Sequence, residues 1–330
     1  MNRTPAFTCI SAALLAVSLA LTPALTPAYG DDYPSKPIKF IVPAAPAGIG
    51  DILPRLFAQK LGEAGNPAVI VVENRPGGNG VLAYDAVARA PLDGTMMLMG
   101  NHAGLAMNPH LAKSLPYEPL KSFAPIILLV TVPNILVVHP SVPANSLKEL
   151  IAYAKANPGK LSYASQGTGA SGHIAAELLK LHAGIDIVHV PYRGAAPAAQ
   201  DLAAGHVSMM FDVVSLALPQ ITAGRVRPLA VAAKQRVAML PDVPTLIEQG
   251  MDAEVGAWFG MLGPAGMSPE AVGWVNREAT KVFSAPDTRD RFVQQGAALP
   301  LSTPDVFGKF IEAESARYGD IIRRAGIKLE

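Results

Sequence analysis

Cysteine is almost absent, with one thiol, Cys9, in 330 residues. That excludes a disulfide framework and any cysteine-based zinc centre. A charge surplus is lacking too, because 27 Lys and Arg stand against 26 Asp and Glu. Binding nucleic acid by phosphate neutralisation requires excess clustered cations, so nucleic-acid partners are excluded, and attachment to a membrane surface through a basic face is disfavoured. The H-E-x-x-H zinc motif and the P-loop are missing, and no cofactor is expected. Neither a fixed-period repeat nor a low-complexity segment interrupts the chain. What is present is apolar mass: half of the residues are hydrophobic and only 16% are charged. Such a chain buries a large core, and at about 100–200 residues per domain its length points to two domains.

The first thirty residues stand apart. Arg3 is the only charged side chain before Asp31, and Ile10 to Leu21 is a run of Ile, Ser, Ala, Leu and Val. Pro23 and Pro27 follow, with the small residues Ala28 and Gly30 placed where a signal peptidase reads. The order matches a cleaved secretory signal, predicting export to the periplasm. A membrane anchor needs about 18–20 apolar residues, and the prolines come too early. Cys9 precedes the apolar run, whereas a lipid-bearing cysteine would follow it. Cutting the signal removes Arg3 and Cys9, leaving 26 charges of each sign and no thiol.

Beyond Asp31, short β-like runs alternate with amphipathic segments. Strands are predicted at 38–42, 69–73 and 95–99, with helices at 51–61 and 81–89. A second series has helices at 146–156, 171–183 and 197–204 and strands at 161–165, 188–192 and 207–212. Near-continuous apolar strands separated by helices indicate parallel sheets covered on both faces, and two series indicate two α/β lobes. Ser268-Pro269-Glu270 and Thr303-Pro304 open two further helices. Apolar stretches at 126–138 and 257–262 are the candidate crossings between lobes. Two crossings make a hinge beside a cleft. The expected domains are 31–130 with 254–330, and 131–253.

Two glycine-rich loops follow strands and open helices. Gly167-Thr168-Gly169-Ala170-Ser171-Gly172 fits the G-x-G-x-x-G dinucleotide pattern, and Arg193 sits where a 2′-phosphate partner would. Against that reading, the motif is mid-chain, Asp186 precedes the next strand rather than ending it, and soluble NADP is rare outside the cytoplasm. The physics survives the rejection, because open N–H groups at a helix start attract any anion, a carboxylate included. The first loop, Ala47-Gly48-Ile49-Gly50-Asp51, reads equally as a plain turn capped by Asp51 or as a ligand loop. Ser171 and His173 lie two apart on a helix and cannot face each other as nucleophile and base. His173 and Glu177 are better explained by a surface contact than by a metal, with no third ligand in view. His182 and His189 read as exposed turn residues. Asp212 ends an apolar strand and either caps the next helix or meets a ligand donor. Arg193 either clamps a carboxylate or ties two loops. The methionines at 96, 97, 99, 209 and 210 read as core.

Asn74-Arg75-Pro76-Gly77-Gly78-Asn79-Gly80, Leu115-Pro116-Tyr117-Glu118-Pro119 and Val190-Pro191-Tyr192-Arg193-Gly194 resemble the substrate-binding proteins of tripartite tricarboxylate transporters, the Bug family. Asp242-Val243-Pro244-Thr245 and Trp258-Phe259-Gly260 with Pro264-Ala265-Gly266 extend the resemblance along the mature chain. It implies a type II-like, two-lobed periplasmic binding protein, not an enzyme, expected as a monomer. Such a protein closes on a small organic mono- or dicarboxylate and delivers it to membrane permease subunits. An exported hydrolase or oxidoreductase, or a ligand sensor, is the alternative. By position, the implied ligand loops are Ala45 to Asp51 and Ser165, Gln166, Gly167, Thr168, Gly169, Ser171 and His173, with Asn101 and Asp212 also in the cleft. The first loop departs from the family pattern: Ala45 and Ala47 replace bulkier residues, and Ile49 and Gly50 a polar pair. The departure implies a roomier, more apolar pocket, suited to a larger or aromatic carboxylate.

Overall fold

The computed structural model describes residues 33–77, 80–192 and 194–327, so the expected export signal, Gly78, Asn79 and Arg193 lie outside the described residues. The first half-sheet is built from β1 (Ile38–Val42), β2 (Ile70–Asn74) and β3 (Met96–Asn101), interleaved with α1 (Ile49–Glu63) and α2 (Val81–Ala88). A π-helical turn (Ala103–Met107) and the short α3 (Asn108–Leu111) lead into β4 (Phe123–Val138). The second series runs α4 (Leu147–Ala156), β5 (Ser162–Ser165), α5 (Ser171–Ala183), β6 (Val188–Pro191), α6 (Ala195–Ala203), β7 (Met209–Val213), α7 (Val214–Thr222) and β8 (Arg227–Val231). The chain returns through β9 (Gly256–Pro264) and finishes with α8 (Pro269–Ser284), α9 (Pro286–Val293) and α10 (Pro304–Ala325).

Among the described residues the strands form one sheet in the order β2-β1-β3-β9-β4-β7-β5-β6, with β8 paired to the other edge of β4. As the patterning predicts, β1 is parallel to β2 and β3, and β5 is parallel to β6 and β7. The two parallel groups are joined by β4, whose 16 residues serve both. Up to Pro133 it pairs antiparallel with β9, and from Asn134 it pairs with β7. The Asn134 N–H donates to the Val255 carbonyl, and the Ala232 N–H donates to the Asn134 carbonyl. The two crossings, at Pro133–Asn134 and at Val255–Gly256, therefore lie side by side.

Helix ends follow from local chemistry. Ser146, Ser268 and Thr303 each accept an N–H from the third residue on, at the starts of α4, α8 and α10. Glu149 reaches back to the Asn145 N–H at 2.7 Å, one residue beyond the reciprocal contact of a capping box. Gly184 and Gly326 end α5 and α10 in the left-handed region that favours glycine. In the first half, α1 and α8 cover one face, where Phe57 and Phe283 pack with Phe40, Met97 and Met261. On the other face Tyr84, Phe307, Ile311 and Tyr318 pack with Leu98 and Leu262. In the second half, α5 packs with Leu136 and Phe211, while α6 and α7 pack with Ile135 and Met210. Met97, Met99, Met209 and Met210 are fully buried, and Met96 is half-buried.

Candidate functional site

The first loop is locked from within. Asp51 is 3% exposed and turns back on its own loop rather than outward. One oxygen accepts the Ala47 N–H at 3.0 Å, and the other takes the Arg55 Nε at 2.9 Å. Arg55 holds the carboxyl below its ordinary range, and the Ala47 N–H adds to the effect. Arg55 also donates to Asn74, whose amide donates to the Ala44 carbonyl. With Ala47 at φ +74°, the loop is bent where an L-residue is disfavoured, and this bonding holds the bend. Gly48, not Asp51, occupies the cap position, and it has no side-chain cap. The N–H groups of Ile49 and Gly50 have no acceptor among the described residues. Gly50 lies against the Phe259 ring, where a Cβ would sit 3.2 Å from its edge. Asn101 is likewise committed: its Oδ1 accepts from the Gly104 N–H at 3.1 Å and from the Tyr84 hydroxyl at 3.2 Å.

The second loop is held by two histidines. The Gly169 N–H donates to His173 Nδ1 at 3.0 Å, which places the neutral ring's proton on Nε2. Ser165 Oγ bonds His189 Nε2 at 2.7 Å and accepts the Gly167 N–H at 3.2 Å. The rings of His173 and His189 stack at 4.2 Å, and Tyr163 covers His189 at 4.7 Å. His189 is thus not an exposed turn residue. The pairing of β5 with β6 sets it opposite Tyr163 and inside the stack. His182 is exposed, as expected. Burial, and secondarily the neighbouring His189, pushes His173 down to about 4. Glu177 makes no hydrogen bond to His173; it accepts from the Tyr163 hydroxyl and from Lys180. No cluster of metal-ligating side chains occurs among the described residues.

The start of α5 is the open part of the site. The N–H groups of Ser171, Gly172 and His173 find no acceptor among the described residues. Ser171 Oγ points to Asn134 Oδ1 at 3.4 Å, away from His173, so the two do not form a nucleophile and base. Asn134 is fully buried, and its Nδ2 has no partner among the described residues. Gln166 Oε1 and Ser215 Oγ are unpartnered too, so three buried polar atoms lie at the ends of β5 and β7 and at the first crossing. Gln166 Nε2 donates to the Phe211 carbonyl and to Asp212 Oδ1, both at 3.1 Å. Asp212 Oδ1 also accepts the Val213 N–H at 2.9 Å, so the carboxylate anchors the end of β7. Its burial raises it to about 6. A Cβ at Gly172 would lie 2.2 Å from the Phe211 carbonyl oxygen, so only glycine fits. Thr168 is exposed at the loop tip. The loop residues, Ser171, Asn134 and Asp212 thus come together, whereas Ala47 to Asp51 and Asn101 are bonded within their own half.

Sequence reasoning missed Asn134 and His102. Asn134 is the lone amide in an apolar run, which was its only signal. His102 follows Asn101, is half-buried between Trp258 and Phe259, and its Nδ1 accepts the Trp258 N–H at 3.4 Å. Burial lowers it to about 4, leaving it a neutral ring.

Residues 55–327 match the model of the tripartite tricarboxylate transporter family receptor. A protein from the tcbD–tcbE intergenic region of Pseudomonas sp. strain P51 is 38% identical over 294 residues, 88% of this chain and 87% of that one. The BugT protein of Bordetella pertussis is 35% identical, over 91% of this chain and 92% of its own. Among solved structures, R. palustris Rpa4515 with adipate has a TM-score of 0.82 and 33% identity, covering 90% of this chain and all of that one. MatC from Rhodopseudomonas palustris with bound malate has a TM-score of 0.76 and 30% identity, covering 88% of this chain and all of that one. The periplasmic binding protein BugD aligns at 0.77, with 33% identity over 90% of this chain and all of its own. The chain is a solute-binding protein and belongs to the tripartite tricarboxylate transporter receptor family.

Proposed function

We propose that this protein captures a small organic carboxylate outside the cytoplasm and hands it to permease subunits of a tripartite tricarboxylate-type transporter. The observation that carries the reading is the buried, unpartnered Asn134 Nδ2 beside Ser171, at the open start of α5. This site is rich in donors, and a carboxylate is acceptor-only. Hydrogen bonds to a charged acceptor contribute about 1.5–3 kcal/mol each, against about 1 for neutral pairs. Asp212 is tied to Gln166 and Val213, and Asp51 to Arg55 and Ala47, which keeps both carboxylates off an incoming anion. Residues 31–130 with 254–330 form one lobe and 131–253 the other, and closure about the crossings buries the ligand. Residues 1–30 direct export. Adipate and malate, the acids bound in two structural neighbours, fit this reading. Ile49, Gly50 and Phe259 make the first-lobe wall apolar, which favours a longer or aromatic acid over a small amino acid.

Thermal unfolding of the chain without residues 1–30 tests this against adipate, malate, benzoate and the matching neutral amides. At about 100 times Kd a ligand should stabilise the fold by about 2.7 kcal/mol. An acid and its amide giving equal shifts would remove the carboxylate from the proposal, as would a response to amino acids alone.

A further inference from the structure

A cavity of about 710 Å³ lies beside the crossings. Leu299 and Phe310 are on one wall, Val237 and Ala238 on the other, and Pro133 and Gly256 on the floor. Successive residues of β9 point to opposite faces of the sheet. The Phe259 ring lies against Gly50 of the first ligand loop. Trp258, one residue earlier, packs edge-on against Phe310 at 5.3 Å, and its indole N–H donates to buried Glu314 at 2.9 Å. The cavity lies beside these strands, away from both ligand loops: it is lined by residues 232–238, which follow β8, and by Ala298, which bridges Thr131, whereas the second ligand loop follows β5 on the β7 side of β4. Glu314 is neutralised by Arg317 at 2.6 Å, which fixes the wall that faces Trp258.

The two walls belong to different lobes in the division proposed for this protein, and a role for the cavity rests on that division. The lobes are joined covalently only through β4 and the segment that leads into β9, which lie side by side at Asn134 and Val255. A rotation there that narrows the ligand cleft spreads the walls on the side away from it. We propose that this cavity is a counter-cleft, and that the side chains lining it set carboxylate affinity by biasing closure, without touching the ligand. The apparent Kd is the closed-form Kd divided by the fraction closed, so each increase in that fraction tightens binding proportionally.

Ala238 and Ala298 line opposite walls and are exposed, so a larger residue at either is not forced into a packed core. A238W and A298W should each act as a wedge. Small-angle scattering of the ligand-free chain should show a smaller radius of gyration than wild type, and calorimetric titration with adipate should give about 5- to 10-fold tighter binding. A238S, which adds no wedge, should match wild type in both. Unchanged compactness in both wedge variants, or weaker adipate binding by folded protein, overturns the proposal. If wild type binds neither adipate nor malate, the carboxylate reading fails, whereas scattering of the ligand-free wedges still decides the counter-cleft.

Discussion

Replacing Asn134 by Leu separates a ligand-facing amide from a structural one. In the free protein the Nδ2 group is fully buried with no protein acceptor among the described residues, a state that costs about 1–3 kcal/mol. Its Oδ1 receives one long bond, 3.4 Å from Ser171 Oγ, at the weak end of about 0.5–1.5 kcal/mol. Leu has a similar volume and removes both groups, but it leaves the buried Ser171 hydroxyl without its acceptor, so the gain and the loss, each about 1–3 kcal/mol, largely cancel. Ligand-free N134L should therefore unfold in urea close to the wild-type midpoint. Binding should weaken. One hydrogen bond to a carboxylate, about 1.5–3 kcal/mol, converts to roughly 10- to 150-fold weaker adipate binding by calorimetry. N134D, which points a carboxylate at the anion, should bind none. A free N134L protein destabilised by more than about 1 kcal/mol would show the amide to be structural. Unchanged adipate affinity would remove it from the site.

Asp212 and His173 shift in opposite pH directions. Burial raises the Asp212 carboxyl to about 6 from 3.8, so the folded state holds its proton more tightly than the unfolded state does. Ionisation therefore weakens the fold above pH 6, by up to about 3 kcal/mol, and the loss is recovered as pH falls toward 4. D212N should gain most of that in urea unfolding at pH 8 and almost nothing at pH 4; equal gains at both would refute the assignment. His173 is depressed to about 4 from 6.5, so its contribution is full above 6.5 and is lost as pH falls through 4. H173N should flatten the acid limb by on the order of 2 kcal/mol after solvent screening, and a limb as steep as wild type would count against it. G172A drives a methyl into the Phe211 carbonyl, at 2.2 Å, and should cost about 1–3 kcal/mol as well as adipate binding. G50A meets only the Phe259 edge at 3.2 Å, a ring that can give, and should cost under about 1 kcal/mol by the same unfolding assay.

What could be read from the sequence was local. β1 and α5 begin and end where the apolar runs and glycines place them, and Ser146, Ser268 and Thr303 announced three helix starts. The extent of α7, which carries Pro219 inside it, was not legible, and α9, a short charge-dense helix beginning at Pro286, was hidden altogether. The π-helical turn after β3 is specified from a distance, since Gly104 lies so close to the Tyr84 ring that a Cβ there would overlap it. The glycine loops of the site were visible because backbone chemistry leaves a sequence trace. The side chains' roles were not, because long-range register assigns them. Asn134 faces the end of β7 because β4 changes partner at that residue, leaving Pro133 with β9. His189 joins His173 because β6 pairs in parallel with β5, two segments 24 residues apart at that contact. Asp51, which the sequence left between a helix cap and a ligand contact, secures its own loop through Ala47 and Arg55, with Gly48 at the cap. In a two-lobed protein the crossing strands fix which polar groups lie beside the hinge, and under the proposed function a lone amide inside an apolar crossing run is therefore a stronger candidate for a ligand contact than a carboxylate already bonded within its own glycine loop.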